Sequence, residues 1–401
     1  MPGTTKRNPT SYTTGEKGER TRLIPGEEED NKDVGVVASK STTRKKKPSK
    51  MLILAGAAMV LMVAVVSIKN GFFGMTAIVG VGTTEVKVKC QNVYMPELTA
   101  PTFFYRYSRI CYPDDGKKYP LHFFGHGDFG GGPFSFAYHG LINDIASRGF
   151  VVSMYLSCAI DQMCDDGNGS FLEILKSMSF LETNTGWWNN KIDFDAGYSA
   201  SGHSTGGRAV LMLAGLIDSP TKYLATTKYA SMITNEQRKS IQKFQAIIGD
   251  HPDPVYLPGF NPDVDNYVVD KTPVMIVTGS EDHIEPELSA WKDFETITSL
   301  SKVYVDMLGS GHLGPLLGHK EGPYIAYFSQ CYIKGIGNDV AAKGCANIYS
   351  DSVPNAMRKV LQISTVSDRN TGDGKVGYLG CRGDDQGNVP VKFTKFCSAE
   401  N

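Results

Sequence analysis

Gly197-Tyr198-Ser199-Ala200-Ser201-Gly202-His203-Ser204-Thr205-Gly206-Gly207-Arg208-Ala209-Val210-Leu211-Met212-Leu213 is the stretch on which the reading of this 401-residue chain turns. Residues 197–201 read as a short strand that runs into a glycine-flanked serine, and the apolar run from Arg208 to Leu216 reads as a helix. Between them Gly202, Gly206 and Gly207 remove bulk around Ser204. A sharp strand-to-helix corner that pushes one hydroxyl outward needs that lack of bulk. The strand is more polar than one buried on both faces usually is.

Working outward, strand and helix signals alternate, the pattern of a mostly parallel sheet flanked by helices and hence an α/β fold. Strands are expected at Thr102 to Cys111, Leu121 to Phe124, Phe150 to Leu156, Phe244 to Ile248, Pro273 to Thr278 and Lys302 to Met307. Helices are expected at Gly140 to Ser147, Leu172 to Leu181, Asn235 to Gln242, Pro286 to Ile297 and Gly322 to Ile333. After Cys345 the order is hard to read, and no internal repeat is visible.

A serine hydroxyl is a poor nucleophile at neutral pH. It needs an imidazole to take its proton and a carboxylate to fix the imidazole's tautomer. When a serine sits at such a corner, the acid and then the histidine follow it in chain order. Strand 273–278 empties into Gly279-Ser280-Glu281-Asp282-His283, which makes Asp282 the expected acid, with Glu281 as the alternative. Strand 302–307 empties into Gly309-Ser310-Gly311-His312, which makes His312 the expected base. His319 and His283 are the alternatives, while His203 and His126 lie too close to the loop framework to be preferred. Backbone donors for an oxyanion are expected at Thr205, just after the serine, and near Asp128 in the loop His126-Gly127-Asp128-Phe129-Gly130. An aspartate there is favourable only if its carboxylate points away.

The N-terminal part differs in kind. Residues 1–50 have almost no large apolar clusters and read as a disordered cytosolic tail. Residues 51–69 carry the uncharged apolar run Met51 to Ile68, a helix of roughly 27 Å, which reads as a transmembrane signal anchor. The cluster Lys40, Arg44, Lys45, Lys46, Lys47 and Lys50 before it keeps that side cytosolic and sends the rest to the lumenal or outer face, as a single-pass type II membrane protein. Cleavage and secretion are the alternative. A linker at 70–84, the α/β domain at 85–345 and a cysteine-containing extension at 346–401 complete the expected organisation.

All eight cysteines follow the apolar run, as disulfides in an oxidising compartment require. Short separations favour Cys158 with Cys164 and Cys381 with Cys397, but the connectivity stays open. Asn168-Gly169-Ser170 is a glycan acceptor at Asn168. No CxxC pair or HExxH gives a metal motif. A formal net charge of -1 gives no reason to expect nucleic acid as a partner.

From about Thr102 to Cys345 the chain resembles the polyester-hydrolase, cutinase and chlorophyllase-like branch of the α/β-hydrolases. The motifs that carry the resemblance are "YPLHFFGHG", "KIDFDAGYSASGHSTGG", "TPVMIVTGSEDHIEP", "GSGHLGP" and the helix "PYIAYFSQCYIKGIGNDVAAKGC". The resemblance implies an α/β-hydrolase fold and a serine esterase working through an acyl-enzyme on a small-molecule or polymeric ester, with no cofactor. Carried across, Ser204, Asp282 and His312 occupy the triad positions, and Thr205 and Asp128 the oxyanion positions. A lipid or chlorophyll-type esterase, or an acyltransferase, would use the same triad. A surface-binding protein that keeps the fold without catalysis is the alternative of another class. The anchor-like segment, an insertion at Ser219 to Lys243 and the tail after Cys345 depart from the family pattern, so the substrate does not transfer.

Overall fold

The computed structural model describes residues 86–99, 106–158, 170–221, 229–255, 268–299, 301–307, 309–349 and 357–362. The expected tail, membrane helix and linker lie outside these residues, as do Asn168, Cys164, Cys381 and Cys397. Among the described residues no helix is long and apolar enough to cross a membrane.

Nine strands form one sheet: β1 Val88–Tyr94, β2 Tyr107–Pro113, β3 Leu121–Gly125, β4 Val151–Tyr155, β5 Tyr198–His203, β6 Phe244–Asp250, β7 Val274–Gly279, β8 Lys302–Met307 and β9 Met357–Gln362. Their order is β1-β2-β4-β3-β5-β6-β7-β8-β9. Strands β3 to β8 run parallel, while β1, β2 and β9 pair antiparallel at the two edges. The helices are α1 His139–Ser147, α2 Ser170–Thr183, α3 Thr205–Asp218, α4 Asn235–Ser240, α5 Glu287–Thr296, α6 Gly314–Leu317, α7 Gly322–Tyr332 and α8 Asn338–Tyr349.

Parallel strands need crossovers, and the crossover helices bury both faces of the sheet. Alternation along each strand divides the core accordingly. Leu121 and Phe123 of β3, Ala200 of β5, Ile276 of β7 and Tyr304 of β8 pack with α2, α3 and Trp291 of α5. Phe124 of β3, Ile248 of β6, Val277 of β7 and Val305 of β8 pack with Leu141 of α1 and Phe328 of α7. The result is a three-layer α/β/α arrangement.

The polarity of β5 has a specific cause. His122 on β3 is fully buried and presents Nδ1 to Ser199 Oγ at 2.8 Å and Nε2 to Ser201 Oγ at 2.7 Å. Burial holds this ring far below the ordinary histidine range, to about 3, so it is neutral with one donor and one acceptor. Two hydroxyls, each able to give or take a proton, satisfy both nitrogens.

Several differences from the sequence expectations appear at the edges. Strand β1 was not singled out; Cys90 on it faces Cys111 on β2, and the two form a disulfide. The quoted C-terminal helix is two helices, because a short 3-10 turn at Lys334–Ile336 and Gly337, with φ of 93°, break it. A second disulfide, Cys331 to Cys345, joins them. Cys158 is disulfide-bonded as well. Beyond residue 345, α8 runs on to Tyr349, and β9 pairs with β8 so that the sheet draws its last strand from the expected extension.

Candidate active site

Where β3 and β5 lie side by side, the chain has gone from β3 outward to β4 and then back across to β5. Carboxyl ends of parallel strands at such a reversal form a crevice, and the residues of interest collect there. Ser204 follows β5 directly and stands just before α3, as its N-cap, with φ of 57° and ψ of -124°. Such a backbone is costly for a residue with a Cβ and persists only where the surroundings enforce it.

Two close approaches enforce it. A Cβ on Gly202 would stand 2.2 Å from Gly206 O, and one on Gly206 would stand 2.3 Å from Gly125 O. Strand β3, the corner and the first turn of α3 are thus packed backbone against backbone. The amide of Ser204 donates to Asp250 O at the end of β6 (3.1 Å), and Ser204 O accepts from the Arg208 and Asp253 amides at 3.0 and 3.1 Å.

His312 lies in the turn after β8 and Asp282 in the turn after β7. His312 Nε2 is 3.1 Å from Ser204 Oγ, and its Nδ1 is 2.9 Å from Asp282 Oδ2. The other carboxylate oxygen, Oδ1, accepts the amides of Ile284 and Glu285 at 3.0 and 2.8 Å, which fixes the plane of the acid. A carboxylate can only accept, so Nδ1 carries the hydrogen and a neutral ring offers Nε2 as the acceptor facing the serine. Ser204 and His312 are each 8% exposed and Asp282 4%, so the group is shielded, with its acid the most enclosed of the three.

The remaining candidates divide clearly. Glu281 and His283 are exposed. His319 turns its Nδ1 to Pro315 O at 2.9 Å and sets its ring against Gly140 of α1. His126 sets Nδ1 and Nε2 on two backbone carbonyls, Gly127 O and Ser157 O, at 2.8 and 2.6 Å. His203 points one nitrogen at Tyr138 and the other at the backbone of His312.

The loop after β3 lies directly on the corner, since a Cβ on Gly127 would stand 2.9 Å from that of Ser204. The Gly127 amide donates to Tyr138 Oη at 3.0 Å and is not available to a ligand. The Asp128 carboxylate is turned onto its own loop, where Oδ1 accepts the Phe129 amide at 3.0 Å. Phe129 holds the turn with φ of 59°. Thr205 is the first residue of α3, where an amide has no acceptor within the helix.

One neighbour of the serine was not expected. Asp253 Oδ1 lies 3.3 Å from Ser204 Oγ, and its Oδ2 is 3.4 Å from the buried Arg208 guanidinium. Burial, together with the charge and hydrogen bond of Asp253, pushes the Glu285 carboxyl up to about 9, so Glu285 keeps its proton at neutral pH. A signal existed, because Asp253 sits just past a strand end in Asp250-His251-Pro252-Asp253, but nothing local separates it from Asp250.

Among the described residues no group of three or more His, Cys, Asp or Glu side chains could hold a metal ion. No protein-family model matches the chain, and no curated protein matches it.

Proposed function

We propose that this chain is a serine hydrolase of the α/β-hydrolase type that cleaves a carboxylic ester through an acyl-enzyme on Ser204. The observation that carries the reading is the unbroken path from Asp282 Oδ2 through the His312 ring to Ser204 Oγ, with steps of 2.9 and 3.1 Å. A surface-binding role gives no reason for a nucleophile, base and acid in hydrogen-bonding sequence after β5, β8 and β7. The order serine, acid, histidine along the chain agrees with that fold.

In the first half-reaction His312 Nε2 takes the Ser204 proton as Oγ bonds to the ester carbonyl carbon. The carbonyl oxygen becomes an oxyanion facing the amides of Thr205 and Asp128, and Asp282 stabilises the imidazolium. The imidazolium then protonates the leaving alkoxide as the carbon–oxygen bond breaks, which releases an alcohol. Water, deprotonated by the same ring, attacks the acyl-enzyme, and the carboxylic acid departs as Ser204 regains its proton. For the first step the serine hydrogen must point at His312 and not at Asp253. The pairing of Asp253 with Arg208 and with the protonated Glu285 lowers its pull on that hydrogen.

The disulfides Cys90–Cys111 and Cys331–Cys345 support placing this domain in an oxidising compartment, on the lumenal or outer side of a membrane reached by residues 51–69. The test of the activity is turnover of p-nitrophenyl butyrate. Ser204→Ala is expected to lower kcat by at least about 10³-fold with the fold intact. Equal turnover by the variant would remove Ser204 from the chemistry.

A further inference from the structure

Three buried hydrogen bonds join the loop that abuts the serine to the loop that carries the base. The Gly127 amide lies 3.0 Å from Tyr138 Oη, Tyr138 Oη lies 2.7 Å from His203 Nδ1, and His203 Nε2 lies 2.8 Å from the carbonyl oxygen of His312. All the side chains involved are buried, Tyr138 to 1% and His203 to 2% exposure.

Proton placement along this chain is dictated by its ends. A carbonyl only accepts, so His203 Nε2 carries a hydrogen and donates it to His312 O. A neutral imidazole then has Nδ1 as its acceptor, so the Tyr138 hydroxyl must donate to it, and the tyrosine oxygen is left to accept the Gly127 amide. Burial, reinforced by the neighbouring His312 and His251, holds the His203 ring well below the ordinary histidine range, so it keeps this single state. Burial likewise raises the Tyr138 hydroxyl, which stays protonated. The sequence is therefore directional, with one arrangement of hydrogens and no alternative.

We propose that Tyr138 and His203 are positioning residues that fix the oxyanion loop and the catalytic base in register on either side of Ser204. The inference rests on the serine-hydrolase reading above and adds to it. The geometry explains why a histidine precedes the nucleophile. His203 is the last residue of β5, its backbone pairs with Asp250 of β6, and its ring, through Tyr138, connects the loop that follows β8 to the loop that follows β3. The Gly127 amide, once given to Tyr138, orients the next peptide of the loop, the one that carries the Asp128 amide. Neither side chain touches the reacting atoms.

The test compares the full-length wild type with Tyr138→Phe, His203→Gln and the double variant, each counted by active-site titration with a fluorophosphonate. Tyr138→Phe keeps the ring but cuts the chain at its centre, and His203→Gln keeps a donor for His312 O but replaces the rigid ring by a flexible amide whose oxygen no longer holds the Nδ1 position facing Tyr138. Expected are falls of about 10- to 100-fold in p-nitrophenyl butyrate kcat per titrated site, with KM within about threefold, and weaker binding of a boronic-acid transition-state analogue in the same proportion. Because the chain acts as a unit, the double variant should be no slower than the worse single one. A merely structural role would lower the titrated fraction and the melting temperature while kcat per site stayed at the wild-type value, and that result overturns the proposal. Effects that multiply in the double variant overturn it too. Absence of fluorophosphonate labelling in the wild type overturns the hydrolase reading itself and this inference with it, an outcome distinct from normal turnover by labelled variants.

Discussion

Two aspartate–histidine pairs stand at the ends of neighbouring strands, and only one reaches the serine. Asp282 and His312 follow β7 and β8, whereas Asp250 and His251 close β6, and in both pairs Nδ1 lies 2.9 Å from a carboxylate oxygen. The first pair joins residues 30 apart in sequence and leaves Nε2 facing Ser204 Oγ. The second joins adjacent residues, is completely buried, and His251 Nε2 has no hydrogen-bond partner among the described residues. His251 adopts φ of 45° to make it, and its amide donates to Val277 O at 2.7 Å. Burial raises the Asp250 carboxyl; burial also works against the His251 charge, but the bond and charge of Asp250 outweigh it, so the pair keeps its shared proton. An identical contact therefore aims a ring at Ser204 in one place and stays enclosed in the core in the other. What separates them is where the second ring nitrogen points.

The largest expected effect breaks the first pair. Asp282→Asn would free the His312 tautomer and lower kcat by about 10⁴-fold, with little change in melting temperature. Asp250→Asn should do the reverse. It removes one partner of a fully buried pair, which costs roughly 3 to 5 kcal/mol of unfolding free energy by denaturant titration, while kcat per titrated site stays within a few fold. If Asp250→Asn matched Asp282→Asn in kcat, the division between the two pairs would be wrong.

The smallest effect concerns Glu321, a fully buried carboxyl close to the second pair, neither of whose oxygens has a hydrogen-bond partner among the described residues. Burial and the nearby Asp250 charge raise it to about 7 from an ordinary value of 4.5. Between these two values the native state holds a proton that the unfolded chain has released, so this group lowers stability as pH rises through the window, and its full penalty is present above about 7. Glu321→Gln should therefore raise the melting temperature relative to wild type at pH 8 and bring the two curves together toward pH 4.5. A constant difference across that range would contradict the assignment.

The parallel part of the sheet was legible because its strands are short apolar runs that end in glycine-rich turns, and that is also how Ser204, Asp282 and His312 could be placed at strand ends. The polar look of β5 misled because the compensating group, His122, sits on another strand, and pairing across 77 residues leaves no local trace. The edges were less legible for a different reason. β1 alternates only loosely, with most of its residues partly or fully exposed, and β9 is a six-residue edge strand. The break between α7 and α8 depends on one glycine in the left-handed region, a conformation that no periodicity records. Asp253 and Tyr138 escaped because each matters through its contacts with the corner, not through any motif of its own.

The central claim is that Ser204 is the activated hydroxyl of this chain, and locating a covalent adduct tests it most directly. Full-length protein treated with a fluorophosphonate, digested and sequenced by mass spectrometry should carry one phosphonate, on Ser204, and Asp282→Asn should acquire it far more slowly while Asp250→Asn keeps the wild-type rate. An adduct on another residue, or none on an otherwise folded protein, would contradict the account.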